Sequence, residues 1–262
     1  MLPVGNETLI VTHDAMAEGV HFRTGADMAD VAWKLVAANL SDLASKGAEP
    51  IGVLLGYALG DDNDDTRFSE GLREVLAAYS VPLLGGDTIR TKSPRTFGLT
   101  AIGRATHLPV PDRRNANAGD ALWVTGVLGR AMLGFEDGTG TSPHAQALLR
   151  PIPLLTEGRA LAPVASAMMD VSDGLLLDCW RMANASGVSI RLQSNAIPVA
   201  DAARRDHCIR WGDDYQLLFT LPGGTTPPIP ATLIGQVTAY ETSNLWLDET
   251  ALTSDAGLGY RH

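Results

Sequence analysis

The sequence predicts a mixed α and β protein of two domains, on three observations. Strand-length apolar runs alternate with amphipathic helical stretches, and Gly and Pro punctuate them regularly. The stretch 106–120 carries two prolines, two asparagines, an Arg pair and little apolar periodicity, and it separates halves that each contain both kinds of element. We therefore divide the chain into a domain over 1–107, a linker over 108–120 and a domain over 121–262. A length of 262 residues suits one to two domains and can bury a substantial core.

In the first half, 8–13 reads as a strand. A helix is expected over 27–46, where Val31, Leu35, Leu40, Leu43 and Ala44 lie near one stripe and Gly47 can act as C-cap. A strand follows over 51–59, then a helix over 67–79 with Phe68, Leu72, Val75, Leu76 and Tyr79 at helical spacing, then strands over 81–84 and 96–104. This half reads β-α-β-α-β-β. In the second half strands are expected at 121–125, 167–171, 188–192, 215–221 and 232–237, with a helix over 175–185. Segment 222–230 is a surface loop by composition, and no repeat of fixed period is evident.

Composition removes several function classes. Thirty acidic against twenty basic residues leave a net charge of -10 with no Lys/Arg run, which argues against nucleic-acid and anionic-membrane partners. No apolar stretch approaches the length needed to cross a bilayer, and no signal-peptide pattern opens the chain. Cys179 and Cys208 form neither a disulfide framework nor a CxxC pair, so two reduced thiols in a cytoplasmic protein are expected. P-loop, GxGxxG, GxSxG and HExxH motifs are absent, leaving P-loop, Rossmann, hydrolase and zincin readings without warrant.

What stands out is aspartate at the end of apolar runs: Leu9-Ile10-Val11-Thr12-His13-Asp14, Pro82-Leu83-Leu84-Gly85-Gly86-Asp87, and Ala167-Met168-Met169-Asp170-Val171-Ser172-Asp173. Carboxylates just past strands can converge at a sheet rim, where they repel unless a hard cation neutralises them. Magnesium is the natural cation, and Mg2+ held by carboxylates and water commonly bridges polyphosphate, which points to ATP without a P-loop. Each Asp taken singly is equally at home as a helix cap or turn residue. Asp42, in Asn39-Leu40-Ser41-Asp42-Leu43, is a poor choice inside a helix on propensity, which marks it as exposed or functional. The acidic run 61–65 fails as an EF-hand, because Thr66 stands where Gly is needed and Leu72 where Glu is needed; it is expected to be a solvated loop capping the next helix. His21 is either structural or a donor to an anionic substrate, and residues 126–129, between a strand and an expected helix, are either a tight turn or a source of amides for a phosphate.

Read together, five blocks resemble thiamine-monophosphate kinases. They are the stretch from Thr12-His13-Asp14 through Gly19-Val20-His21-Phe22, Asn39-Leu40-Ser41-Asp42-Leu43-Ala44, Gly85-Gly86-Asp87-Thr88, Asp170-Val171-Ser172-Asp173-Gly174-Leu175, and Gly212-Asp213-Asp214-Tyr215-Gln216-Leu217-Leu218-Phe219. The order holds over nearly the whole chain, to Gly259-Tyr260-Arg261-His262. The resemblance implies an α+β, two-domain, synthetase-like fold whose N-terminal domain pairs in a homodimer to form a shared β-barrel, beside a C-terminal α/β domain. It implies transfer of the ATP γ-phosphoryl group to thiamine monophosphate. By matching position, Thr12, His13, Asp14, Asp42, Asp87, Asp170 and Asp173 would hold several Mg2+ ions, Thr12 and His13 through backbone oxygens among other contacts. Gly86, Asp87, Arg113 and Ser172 would touch ATP, while His21, Asp213 and Tyr260 would face the thiamine phosphate. The acceptor phosphate is itself a competent nucleophile, so no dedicated general base is expected.

Three departures from the family pattern bear on this. No Gly-Asp-Asp-Ala segment precedes Asp14, so either a truncated chain or a variant with a weakened metal site is expected; His13 stands in place of Thr; and Asp213 replaces Glu, one methylene shorter with the same charge. Two other readings stay open: a catalytically impaired homologue that binds nucleotide or thiamine phosphate, and another ATP-dependent member of the aminoimidazole ribonucleotide synthetase superfamily.

Overall fold

The structure, a computed structural model, describes residues 1–91, 94–138 and 140–260. The chain opens with a hairpin, β1 (Leu2–Val4) and β2 (Glu7–Ala17), followed by α1 (Met28–Ala44), β3 (Ala48–Leu59), α2 (Asp62–Tyr79), β4 (Leu83–Arg90) and β5 (Thr96–Ala105). Five strands form one sheet in the order β1-β2-β5-β3-β4, antiparallel except where β3 meets β4. That pair is parallel because α2 is the crossover that returns the chain to the same end of the sheet. Asp27 caps α1 by accepting the Ala29 N–H at 2.9 Å, and Asp61 caps α2 by accepting from Asp64 at 2.9 Å. The acidic run is thus the first turn of α2 rather than a loop before it. Its carboxylates suit the positive end of the helix dipole and tie α2 down, Asp65 through Tyr57 and Asp64 through Arg95.

The second half contains β6 (Ala121–Val124), α3 (Arg130–Asp137), α4 (Pro143–Leu149), α5 (Leu155–Leu161), β7 (Ala167–Asp170), α6 (Leu175–Ser186), β8 (Val188–Leu192), α7 (Arg205–Trp211), β9 (Leu217–Leu221), β10 (Thr232–Ala239), β11 (Leu245–Leu247) and β12 (Thr250–Leu252). Its seven strands run β12-β11-β8-β10-β6-β9-β7. Strand alternation decides how the halves meet. On β9, Leu218 joins the core under α6 with Leu122, Ile190, Cys179 and Met182, while Leu217, Phe219 and Leu221 join the core built around α1. Helix α1 is consequently buried around almost its whole circumference, between the first sheet and the second half. Polar residues on such a helix must find partners, and Lys34, Asn39 and Ser41 find them at the site.

The helix expected after the 126–129 turn is α3, whereas β1, α4, α5, α7, β11 and β12, none longer than seven residues, are too short for periodicity to register. The strand expected to end at 84 continues as β4 to Arg90. Gly86 lets β4 lie close on β3: a Cβ there would sit 2.0 Å from the Leu55 carbonyl oxygen.

Candidate active site

A cavity of about 1180 Å3 opens between α1 and the loop after β2 on one side and α3, α4 and α7 on the other. Asp14, His21, Asp42, Asp170, Ser172, Asp173, Asp213 and Tyr260 all line it. Thr12, His13, Gly86, Asp87 and Arg113 do not.

The inner end is a carboxylate pole. On β2 the two-residue period turns Thr12 and Asp14 toward α1, and puts the His13 ring on the outer face over Gly98, where its Nδ1 meets Thr100 Oγ1 at 2.9 Å. Asp14 sits within β2 and Asp87 within β4, so these two reach their positions by strand facing and not by lying past a strand end; Asp170 does close β7. Thr12 Oγ1 donates to the Asp42 carboxylate, Ser41 Oγ donates to Asp170 Oδ2 at 2.5 Å, and Asn39 Oδ1 accepts the Asp14 N–H at 3.2 Å. Burial and the neighbouring Asp42 push the Asp170 carboxyl well above the usual carboxylate range; burial likewise raises Asp42, with the Thr12 hydroxyl opposing. Lys46, lowered by burial, is drawn back toward its charged form by Asp112, Asp170 and Asp42 and opposed by Arg113. Among the described residues no three His, Cys, Asp or Glu side chains close into a metal cage. An incomplete carboxylate set fits Mg2+, which keeps water in its shell and takes few protein carboxylates alongside substrate phosphate.

Two loops form the facing wall. Asp178, fully buried and raised to about 7 by that burial against the opposing charge of Arg181, accepts the N–H groups of Ser172 and Asp173 at 3.2 Å each. Arg181 bonds both Asp173 and Asp178, and Gly174, at φ 111°, passes where a Cβ would meet the Arg210 carbonyl at 2.6 Å. In the other loop Asp213 and Tyr215 both adopt left-handed backbone, at φ 56° and 50°, a strained choice for residues with side chains. Their N–H groups are held by the carbonyls of Ser172 at 2.8 Å and Val171 at 2.9 Å. The result aims Asp213 at buried Lys34, Nζ to Oδ2 2.7 Å, while the Tyr215 hydroxyl donates to Oδ1 at 3.0 Å. Between them Asp214 accepts the Gly129 N–H at 2.9 Å and the amides of Arg130 and Ala131. Those amides after the 126–129 turn are therefore occupied by a carboxylate of the chain itself, and the phosphate-cradle expectation for that turn is corrected.

The remaining residues complete the inventory. His21 Nδ1 accepts the Ala17 N–H at 3.0 Å, which leaves Nε2 to carry the proton of the neutral ring. Tyr260 is tied through its N–H to the Asp173 carbonyl at 2.9 Å, and the Arg261-His262 end of its motif lies outside the described residues. Gly86 and Asp87 lie on exposed β4, and Arg113 is exposed in the segment between the sheets. Lys34, Asn39 and Asp178 were missed. A lone lysine among Val31, Ala32, Leu35 and Val36 was the available signal for the first.

Comparison with known proteins gives this geometry a family. Residues 1–105 match the family described as AIR synthase related protein, N-terminal domain. The chain is 35% identical to the thiamine-monophosphate kinase of Salmonella typhimurium strain LT2, over 98% of this chain and 87% of that one. This chain belongs to the thiamine-monophosphate kinase family. The family's solved structures carry the same fold. The thiamine-monophosphate kinase of Stenotrophomonas maltophilia K279a superposes with a TM-score of 0.86 at 33% identity, covering 95% of this chain and 88% of its own. A solved structure of AaThiL complexed with AMPPCP and TMP superposes with a TM-score of 0.88 at 26% identity, covering 97% of this chain and 87% of its own.

Proposed function

We propose that this protein transfers the γ-phosphoryl group of ATP to the phosphate of thiamine monophosphate, giving thiamine diphosphate and ADP. The observation that carries the reading is the single cavity that gathers His21, Asp213 and Tyr260 beside Asp14, Asp42 and Asp170, in a chain of this family. Thr12, Asp14, Asp42, Asp87, Asp170 and Asp173 would hold Mg2+, with His13 contributing main chain, since its ring faces away. Mg2+ held there would supply positive charge to offset the negative charge of the phosphates. Gly86, Asp87, Arg113 and Ser172 would contact ATP. The chain's own part is positioning: Lys34 and Tyr215 fix Asp213, Asp178 fixes the Ser172 and Asp173 loop, and no side chain needs to take a proton from the acceptor.

The homodimer belongs to the same reading. Among the described residues no element covers the outer face of the first sheet, where Val11, Leu54 and Leu84 are 47, 39 and 51% exposed, and a second copy closing a barrel there would bury them. No helix among the described residues is long and apolar enough to cross a membrane, and both cysteines are unpaired and buried, which supports work in the reducing cytoplasm. The test is a chromatographic assay with thiamine monophosphate, ATP and Mg2+, beside Asp42→Asn. Thiamine diphosphate formed by the natural sequence and lost in the variant supports the kinase. No product, with thiamine monophosphate still bound, would replace it with the impaired binding homologue.

A further inference from the structure

The cavity has an aromatic end that phosphoryl transfer leaves unused. Its inner end holds Asp170, only 7% exposed, whereas the mouth carries Phe135 of α3 at 42% and Trp211, the last residue of α7, at 36%. Their ring centroids are 5.1 Å apart at an interplanar angle of 46°. Arg23 backs the pair: its guanidinium lies 4.3 Å from the Phe135 ring centroid, and Nη2 donates to the Phe135 carbonyl at 2.6 Å. Trp211 is held in place by its neighbour, since Arg210 bonds Asp206 and the Gly257 carbonyl, each at 2.8 Å. Large aromatic rings at a cavity mouth, partly in water, packed against one another and with Arg23 over Phe135, are what a flat ligand needs.

Resting on the kinase reading, we propose that Phe135, Trp211 and Arg23 form the ring subsite of the acceptor and stack its neutral aminopyrimidine. The acceptor is a linear series: phosphate, thiazolium, then aminopyrimidine. With the phosphate directed to the inner carboxylate pole, the aminopyrimidine is the group that reaches the mouth. The charge pattern selects the same direction. Arg23 disfavours the cationic thiazolium at the shelf, while the carboxylate-rich wall between the ends suits it. Phe135 and Trp211 are thereby specificity-determining residues for the organic half of the substrate, separate from the groups that manage phosphate charge.

Steady-state kinetics of the full chain tests this with Trp211→Ala, Phe135→Ala and Trp211→Phe. Stacking of a heteroaromatic base on an aromatic side chain predicts that each alanine variant raises KM for thiamine monophosphate about tenfold or more, with KM for ATP within about twofold, and that Trp211→Phe recovers most of the loss. Hydroxyethylthiazole phosphate, which lacks the pyrimidine, serves as the probe that separates the subsite from the rest: the alanine variants should use it as well as the natural sequence does. Quenching of Trp211 fluorescence by thiamine monophosphate without ATP, lost in Trp211→Phe, gives a readout independent of turnover. An unchanged KM for thiamine monophosphate, or a rise in KM for ATP instead, overturns the subsite and leaves the kinase standing. Absence of turnover in the natural sequence removes the kinase reading, and the quenching result alone then decides the subsite: quenching supports it, and none overturns it.

Discussion

Lys34 and Asp213 come from different halves of the chain, and the structure makes their coupling measurable. At 2.7 Å the attraction is about 6 kcal/mol in an effective dielectric near 20, before desolvation. The Lys34 side chain is only 8% exposed and gives back much of that in lost hydration, while Asp213 at 35% keeps part of its water. The net interaction should therefore be about 1–3 kcal/mol, the range of direct partners in one network. Lys34→Met should destabilise by about 2–3 kcal/mol, because it strands a carboxylate that the left-handed backbone at residue 213 keeps aimed at the vacated position. Urea denaturation of the natural sequence, Lys34→Met, Asp213→Asn and the double variant closes the cycle. Additivity to within about 0.3 kcal/mol would refute the claim that this pair fixes the substrate wall to α1.

Four further outcomes are expected. Gly86→Ala should cost about 2 kcal/mol or more by chemical denaturation, because its Cβ would meet the Leu55 carbonyl at 2.0 Å and push β4, with Asp87, off the sheet. Asp214, raised by burial to about 7 from 3.8, binds its proton more tightly folded than unfolded, so its contribution is complete below about pH 4 and is lost as pH rises through about 7. Unfolding free energy measured from pH 4 to 8 should fall across that window and be flatter in Asp214→Asn. Paired charges at Val11→Asp and Leu54→Glu should halve the mass seen by sedimentation equilibrium without loss of folded signal. Mg2+ at a hundredfold excess over its Kd should stabilise the natural sequence by about 2–3 kcal/mol, an effect that Asp42→Asn and Asp170→Asn abolish.

The long elements were legible because their patterns span several turns or residues: α1, α2, β3 and β5 show in the periodicity of Leu35, Leu40, Phe68, Val75 and their neighbours. Helices α4 and α5 were not, since seven residues that include a Pro or a Gly carry no such pattern. At the site, Asp14, Asp42 and Asp170 were legible as carboxylates in apolar contexts, although strand facing and not strand ends delivers two of the four aspartates singled out in those runs. Lys34 and Asp178 stayed hidden because their roles depend on partners 179 and 6 residues away in sequence. The left-handed backbone at Asp213 and Tyr215 carries no compositional mark, because Gly is the residue that ordinarily announces such geometry.

The buried polar residues of α1 explain why the site needs both halves of the chain. Asn39, Ser41 and Lys34 each lose water on a helix enclosed around almost its whole circumference, and each recovers a partner from a different segment: the β2 backbone, Asp170 of β7 and Asp213 before β9. Ser41 and Lys34 bond across the halves while Asn39 ties α1 to β2, so docking of the halves and assembly of the site stabilise each other. The pair Asp42 and Asp170 opposes that trend, since two carboxylates are brought together at the junction, where Lys46 offsets them in part. Repulsion is thus concentrated at the one place where a cation and substrate phosphates would relieve it. Ligand binding should tighten the contact between the halves as well as fill the cavity.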